Sequence, residues 1–232
     1  MLLHGLDRWI ISTSIKDLPH SYSAYELMYF ISGNNLLKGG VLMLLLWYLW
    51  FQKKEDQQAR RAKILAGILA CLGAVFISRV LSLTLPFRNR PVFDHTYNFF
   101  SFPVDVSSID RLSSFPSDHA ALFVTLSFGF FYVSRRAGWM AMLYTSLFIL
   151  FPRIYLGFHY PTDILAGGLL GVLTGWAVMS SKWINSVIQR KVLPFFDKKS
   201  EWAYLLFFLM TSQIVVLFSD LRSIISFIIH FK

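Results

Sequence analysis

Residues 115–133 read FPSDHAALFVTLSFGFFYV and residues 152–179 read PRIYLGFHYPTDILAGGLLGVLTGWAVM, and in both a polar cluster opens an apolar run. The two clusters set Ser117, Asp118, His119, Arg153, His159 and Asp163 at the ends of stretches suited to lipid. Ionisable groups so placed are costly to desolvate, and their default reading is a functional site.

Outward from these, further apolar runs at 36–51, 64–85, 139–151 and 202–219 join 117–133 and 164–179. A bilayer needs roughly 20 residues of helix, so the shorter runs are expected to extend into flanking polar turns. The reading is an all-α polytopic membrane helix bundle of about six transmembrane helices. It divides into an interfacial segment at 1–35, a transmembrane domain at 36–219 and an amphipathic or membrane segment at 220–232. Gly in GILACLGA and GGLLGVLTG predicts close helix contacts.

Composition agrees: the chain is 55% hydrophobic and 15% charged, against about 25% charged in a soluble domain. A net charge of +9 raises nucleic acid as a partner. The charges sit in short gaps between apolar runs and form no stripe, which excludes it. Lys53, Lys54, Arg60, Arg61 and Lys63 fill one gap, Arg135 and Arg136 a second, and Lys182, Arg190, Lys191, Lys198 and Lys199 a third. These gaps are an even number of spans apart and are expected to face the cytoplasm; the gaps with the polar clusters then face outward, as do both termini. The N-terminus lacks the order of a cleavable signal, and the first true span is expected to start insertion. Cys71, alone in an apolar run, reads as a packing residue.

His159 stands four residues before Asp163, with Pro161 between them, which predicts a turn entering a helix with Asp163 in its first turn. An aspartate there can hold one imidazole nitrogen and leave the other free to attack, which makes His159 a candidate nucleophile. The blander reading is an interfacial histidine satisfied by a backbone carbonyl. Ser117 and Asp118 sit where a helix begins, an anion site by virtue of its free N–H groups, or simply a cap. His119 is placed to protonate a leaving oxygen. Arg88 and Arg90 in PFRNRP suit phosphate oxygens or lipid headgroups. Together these groups match phosphoryl transfer, which asks mainly for alignment and charge stabilisation. Asp94, His95, Asp105 and Asp110 show no metal-ligand spacing and read as loop surface, and Arg111 as peripheral; no metal or cofactor is called for.

From about residue 64 to 175 the chain resembles the type-2 phosphatidic acid phosphatase superfamily, whose signature is K-x6-RP, PSGH and SR-x5-H-x3-D. Arg90 and Pro91 match the end of the first part, Pro116, Ser117 and His119 the second, and Arg153, His159 and Asp163 the third. The resemblance implies phosphate binding by Arg90, Ser117 and Arg153, proton donation by His119, attack by His159 to give a phosphohistidine, and orientation by Asp163. Three positions depart: Leu83 stands for the lysine, Asp118 for the glycine and Pro152 for the serine. Arg79, one helical turn below Leu83 on the same face, or Arg88 is the candidate replacement for the lysine charge.

The PSDH form and the HYP run resemble bacterial undecaprenyl diphosphatases of the bacitracin-resistance type. That implies a lipid diphosphate substrate, an active site on the outer face of the bacterial inner membrane, and a monomer or weak homo-oligomer. Phosphatidylglycerol phosphate or another phospholipid phosphate is the rival substrate. A lipid transporter is a third reading, disfavoured because the charges gather at one rim and no repeat is visible.

Overall fold

The computed structural model describes residues 2–12, 21–94 and 113–220, with positions 223 and 227. His95, Asp105, Asp110, Arg111 and nearly all of the segment after 220 lie outside the described residues. Among the described residues the chain is helical and has no strand. Helices α1 (Leu2–Ile10) and α2 (Tyr22–Gly33) are followed by a π-helical turn, Leu36–Gly40, that runs into α3 (Val41–Phe51). Then come α4 (Gln57–Thr84), α5 (Asp118–Phe131), α6 (Arg135–Tyr144) with α7 (Phe151–Tyr155), α8 (Pro161–Ser180), the short α9 (Lys182–Val187) and α10 (Leu193–Lys198), and α11 (Ser200–Val215).

Gln57–Thr84, Arg135–Tyr155 and Pro161–Ser180 are each long and apolar enough to cross a membrane, and the pair Tyr22–Gly33 and Leu36–Phe51, bent by 62°, makes a fourth candidate. This is a multi-pass membrane protein. All six apolar runs of the sequence are helical, but α5, with 14 residues, and α11, with 16, fall short of spanning length. Helix α5 occupies the centre: Ala120 to Phe123 are fully buried, wrapped by α4 and α8.

The two faces of α8 explain the packing. Leu165, Leu169, Leu173 and Trp176 are exposed and form the lipid-facing side. Opposite them run Gly167, Gly171 and Gly175, where a Cβ would stand 2.3 Å from the Ser117 carbonyl oxygen, 2.7 Å from that of Ala121 and 2.9 Å from the Phe128 ring. Without side chains there, α8 approaches the backbone of α5 directly. Thr125 uses this proximity, its hydroxyl lying 2.6 Å from the Ala121 carbonyl and 3.1 Å from that of Gly171. At the end carrying the basic gaps, Trp50 is fully buried against Phe196 and Phe207 and clamps α3 to α10 and α11.

Gly167→Ala forces α5 and α8 apart, with an expected loss of about 1–3 kcal/mol or more from overpacking. Gly168→Ala, whose Cβ would meet only a Val124 methyl at 3.7 Å, is expected to be near neutral. Thermal unfolding of the two variants in one detergent checks the contrast.

Candidate active site

The close approach of α5 and α8 brings the two polar clusters of the sequence together. Ser117 caps α5, its hydroxyl accepting from the Ala120 N–H at 3.4 Å. Its own N–H donates to the Asp163 carbonyl at 3.1 Å, so the starts of both helices are tied. As the spacing predicts, Tyr160 and Pro161 begin α8 and Asp163 lies in its first turn, where its Oδ2 accepts from the Tyr160 N–H at 2.8 Å. The turn before α8 needs Gly157 at φ 67°, a left-handed conformation that glycine adopts without a Cβ penalty. Beyond that turn, the Gly157 carbonyl accepts from the Val92 N–H and the Phe158 carbonyl from Arg90, both at 2.9 Å. Three segments distant in sequence therefore meet at one place.

His159 is 3% exposed, and its Nδ1 lies 2.9 Å from the Ser114 carbonyl. A carbonyl only accepts, so Nδ1 carries the proton and Nε2 is left bare. Arg90 Nη1 stands 3.5 Å from Nε2. Asp163 Oδ2 is 3.7 Å from Nδ1, near enough to act as a charge but not to replace the carbonyl as the bonded acceptor. Burial holds the pKa of His159 below its ordinary value, an effect that Asp163 opposes and Arg90 reinforces. The second histidine, His119, places Nδ1 2.9 Å from Asp118 Oδ1, while Arg79 engages the other oxygen of that carboxylate.

A cavity of about 330 Å³ opens over these groups. Arg79, Arg90, Arg153, Asp118, His119 and His159 line it, so six of the nine singled-out side chains converge. The guanidinium of Arg153 lies 6.0 Å from the Phe158 ring centroid, and its Nε is buried without a hydrogen bond among the described residues. The other three are set back: Ser117 and Asp163 are fully buried behind the lining, and Arg88 points elsewhere. Arg88 bonds to Asp163 Oδ1 at 2.5 Å, to Asp7 and to Thr162 Oγ1, with its guanidinium 4.1 Å from the Tyr160 ring centroid. Leu83, where the lysine was sought, is 70% exposed.

Two residues not singled out from the sequence enter here. Asp7, on α1, is fully buried; besides Arg88 it accepts from the N–H and hydroxyl of Thr162 at 2.9 and 2.8 Å. Lys38, from the π-helical turn, lines the cavity together with Asn35. The sequence signal was a lone charge in an apolar stretch for Lys38, and for Asp7 a charge beside Arg8 in a short apolar helix. The approach of Asp118, His119 and His159, whose ligand-type atoms fall within 4.8 Å of one another, is also a three-residue set able to hold a metal ion. Arg79 on Asp118, and Arg90, Arg153 and Lys38 around the same cavity, oppose a divalent cation and favour an anion.

Residues 66–186 match the PAP2 superfamily. The chain is similar to the lipid A 1-diphosphate synthase of Escherichia coli, at 30% identity over 175 residues that cover 72% of this chain and 68% of that protein. It is 27% identical to the undecaprenyl-diphosphatase BcrC of Bacillus subtilis over 72% of this chain and 79% of that one. A protein of Bacillus licheniformis named bacitracin transport permease protein BcrC is 23% identical over 81% and 91% of the two chains. No solved structure gives a significant match.

Asp7→Ala removes the acceptor of Thr162 and one partner of Arg88 at 0% exposure, and is expected to cost about 3 kcal/mol in chemical or thermal unfolding. The lowered pKa of His159 implies that its imidazole, followed by NMR of histidine-labelled protein and assigned with His159→Asn, titrates with a midpoint below the ordinary 6.5. Above that midpoint the neutral ring prevails. A midpoint at or above 6.5 would contradict the burial argument.

Proposed function

The chain belongs to the PAP2 superfamily as an integral-membrane lipid phosphatase, and from that premise we propose that it hydrolyses undecaprenyl diphosphate to undecaprenyl phosphate and inorganic phosphate. The observation that carries the proposal is the pairing of two differently oriented histidines across one cation-lined cavity. His159 presents a bare Nε2 beside Arg90, and His119 holds Nδ1 against a carboxylate. In the proposed reaction Nε2 attacks the terminal phosphorus while Arg90 and Arg153 hold its non-bridging oxygens. The bond from that phosphorus to the bridging oxygen breaks, and His119 gives the oxygen a proton. Water then attacks the phosphohistidine, returns a proton to His119 and frees phosphate.

Charge placement supports the side of the membrane. The basic gaps 52–63, 134–136 and 181–199 fit the cytoplasmic side, and in the proposed orientation the cavity opens at the outer face of the bacterial inner membrane. A lipid substrate then reaches it with its tail still in the bilayer. Arg90 and Arg153 do for the phosphoryl oxygens what a metal ion does elsewhere, so the proposed reaction asks for no metal.

A second reading rests on the E. coli relative, whose name is that of a diphosphate synthase. In it a lipid phosphate oxygen, rather than water, resolves the same phosphohistidine and a new lipid diphosphate forms.

Purified protein is expected to release phosphate from undecaprenyl diphosphate in the presence of EDTA. His159→Ala is expected to lose about 10³-fold or more of kcat, and a substrate labelled in its terminal phosphate to leave label on wild type but not on the variant. Activity surviving His159→Ala, or lost to EDTA and restored by a divalent metal, would overturn the respective claim. Transfer of label to an added lipid phosphate would favour the second reading.

A further inference from the structure

Of the cations lining the cavity, Lys38 lies outside the segment matching the superfamily, and nothing in the phosphoryl-transfer scheme uses it. The fold takes pains to hold it there. Lys38 lies on the π-helical turn Leu36–Gly40, at the break between two helices bent by 62°. Such turns interrupt a helix at a cost and recur at functional sites. The turn is pinned from three sides. The Tyr144 hydroxyl donates to the Leu37 carbonyl at 2.5 Å, and the Asn34 side chain accepts from the Leu37 N–H at 3.1 Å. Gly39 presses on the end of α11 so closely that a Cβ would fall 2.9 Å from the Val215 Cα.

Held this way, Lys38 is partly buried, and among the described residues its ammonium forms no hydrogen bond or ion pair. Of the carboxylates that line the cavity with it, Asp118 is already engaged by Arg79, and Asp220 accepts from the Gln213 amide and the Ser219 hydroxyl. A half-buried ammonium facing a cavity with no fixed counter-ion is the mark of a site completed by an anion. Its neighbours indicate which anion. Gly39, beside Lys38, packs so closely on Phe123 that a Cβ would fall 3.3 Å from its ring, and that ring centroid lies 6.4 Å from that of His119, whereas Arg90 is the cation beside His159. Attack comes from the His159 side and the leaving oxygen departs towards His119. Lys38 therefore stands on the leaving-group side.

We propose that Lys38 forms a second phosphate subsite that binds the phosphate remaining on the lipid, and so selects lipid diphosphates over lipid monophosphates. The inference rests on the hydrolytic reading above and names the part of the substrate that reading leaves unbound. No new chemistry is required. As the bond to the bridging oxygen breaks, negative charge grows on the departing lipid phosphate, and the ammonium is already in place to stabilise it. A monophosphate ester carries no charged group at that position.

The test compares phosphate release from a prenyl diphosphate and from the monophosphate of the same prenyl chain, in detergent, for wild type, Lys38→Met and Lys38→Arg. In Lys38→Met, kcat/KM for the diphosphate is expected to fall about tenfold or more beyond any fall for the monophosphate, and Lys38→Arg to recover most of it. Binding of methylenediphosphonate, a non-hydrolysable diphosphate, is expected to weaken by a similar factor, with binding of inorganic phosphate weakened less. Equal losses on both substrates would overturn the subsite, as would no loss on either. Wild type that hydrolyses the monophosphate but not the diphosphate would instead overturn the hydrolytic reading itself, an outcome visible before any variant is made.

Discussion

The site depends on one close approach: the Ser117 carbonyl sits where a side chain on residue 167 would stand. A glycine there lets the first turns of α5 and α8 lie backbone to backbone, and the Ser117 N–H reaches the Asp163 carbonyl across the gap. The polar clusters of both helices are thereby fixed relative to each other by main-chain geometry. That is a stiffer reference than a contact between long side chains. The glycines continue down α8 at 171 and 175, so the alignment is enforced over the length of the interface and not at a single point.

On this frame the protein gathers an uncommon concentration of charge for an apolar bundle. Two separate networks manage it. Behind the cavity, Arg88 is shared by Asp7 and Asp163, and all three are largely removed from solvent. Their mutual contacts, with the Thr162 N–H and hydroxyl, satisfy groups that would otherwise be buried unpaired. At the cavity, Arg79 is answered by Asp118, while Arg153 and Lys38 face the open volume. The first network is closed and structural. The second is left with excess positive charge, and an anionic substrate supplies the balance.

Local features of the site were legible in the sequence because they follow from local physics. A Ser before an acidic residue caps a helix; a Pro two residues before an Asp starts one; both occur at the predicted positions. The tight α5–α8 contact was legible in its glycines. The direction of Arg88 was not, because its partner Asp7 is 81 residues away on a helix with no motif. Lys38 was hidden for the same reason, since its relation to His119 exists only after the N-terminal helices fold across the matching core. For His159 the reading left two partners open, Asp163 or a backbone carbonyl. The carbonyl, that of Ser114, lies closer to the ring than the carboxylate, and which carbonyl it would be is something no sequence pattern advertises.

That carbonyl and the carboxylate beside the other histidine suggest why Asp118 is tolerated where a glycine was expected. A nucleophilic imidazole must be neutral, and a proton-donating one must be charged at the moment it acts. An uncharged acceptor such as the Ser114 carbonyl fixes the tautomer of His159 without favouring its imidazolium form. A carboxylate 2.9 Å from His119 favours that form, against burial and the positive charges of Arg153 and Lys38, which prevail until an anionic substrate offsets them. The same carboxylate would repel a phosphate if it stood alone, but Arg79 takes its outer oxygen and the His119 N–H its inner one. In the proposed reaction, Asp118 and Ser114 thus separate two chemically identical rings into acid and nucleophile. Arg79 makes that separation compatible with an anionic substrate, which is a different task from the one the missing lysine would have performed.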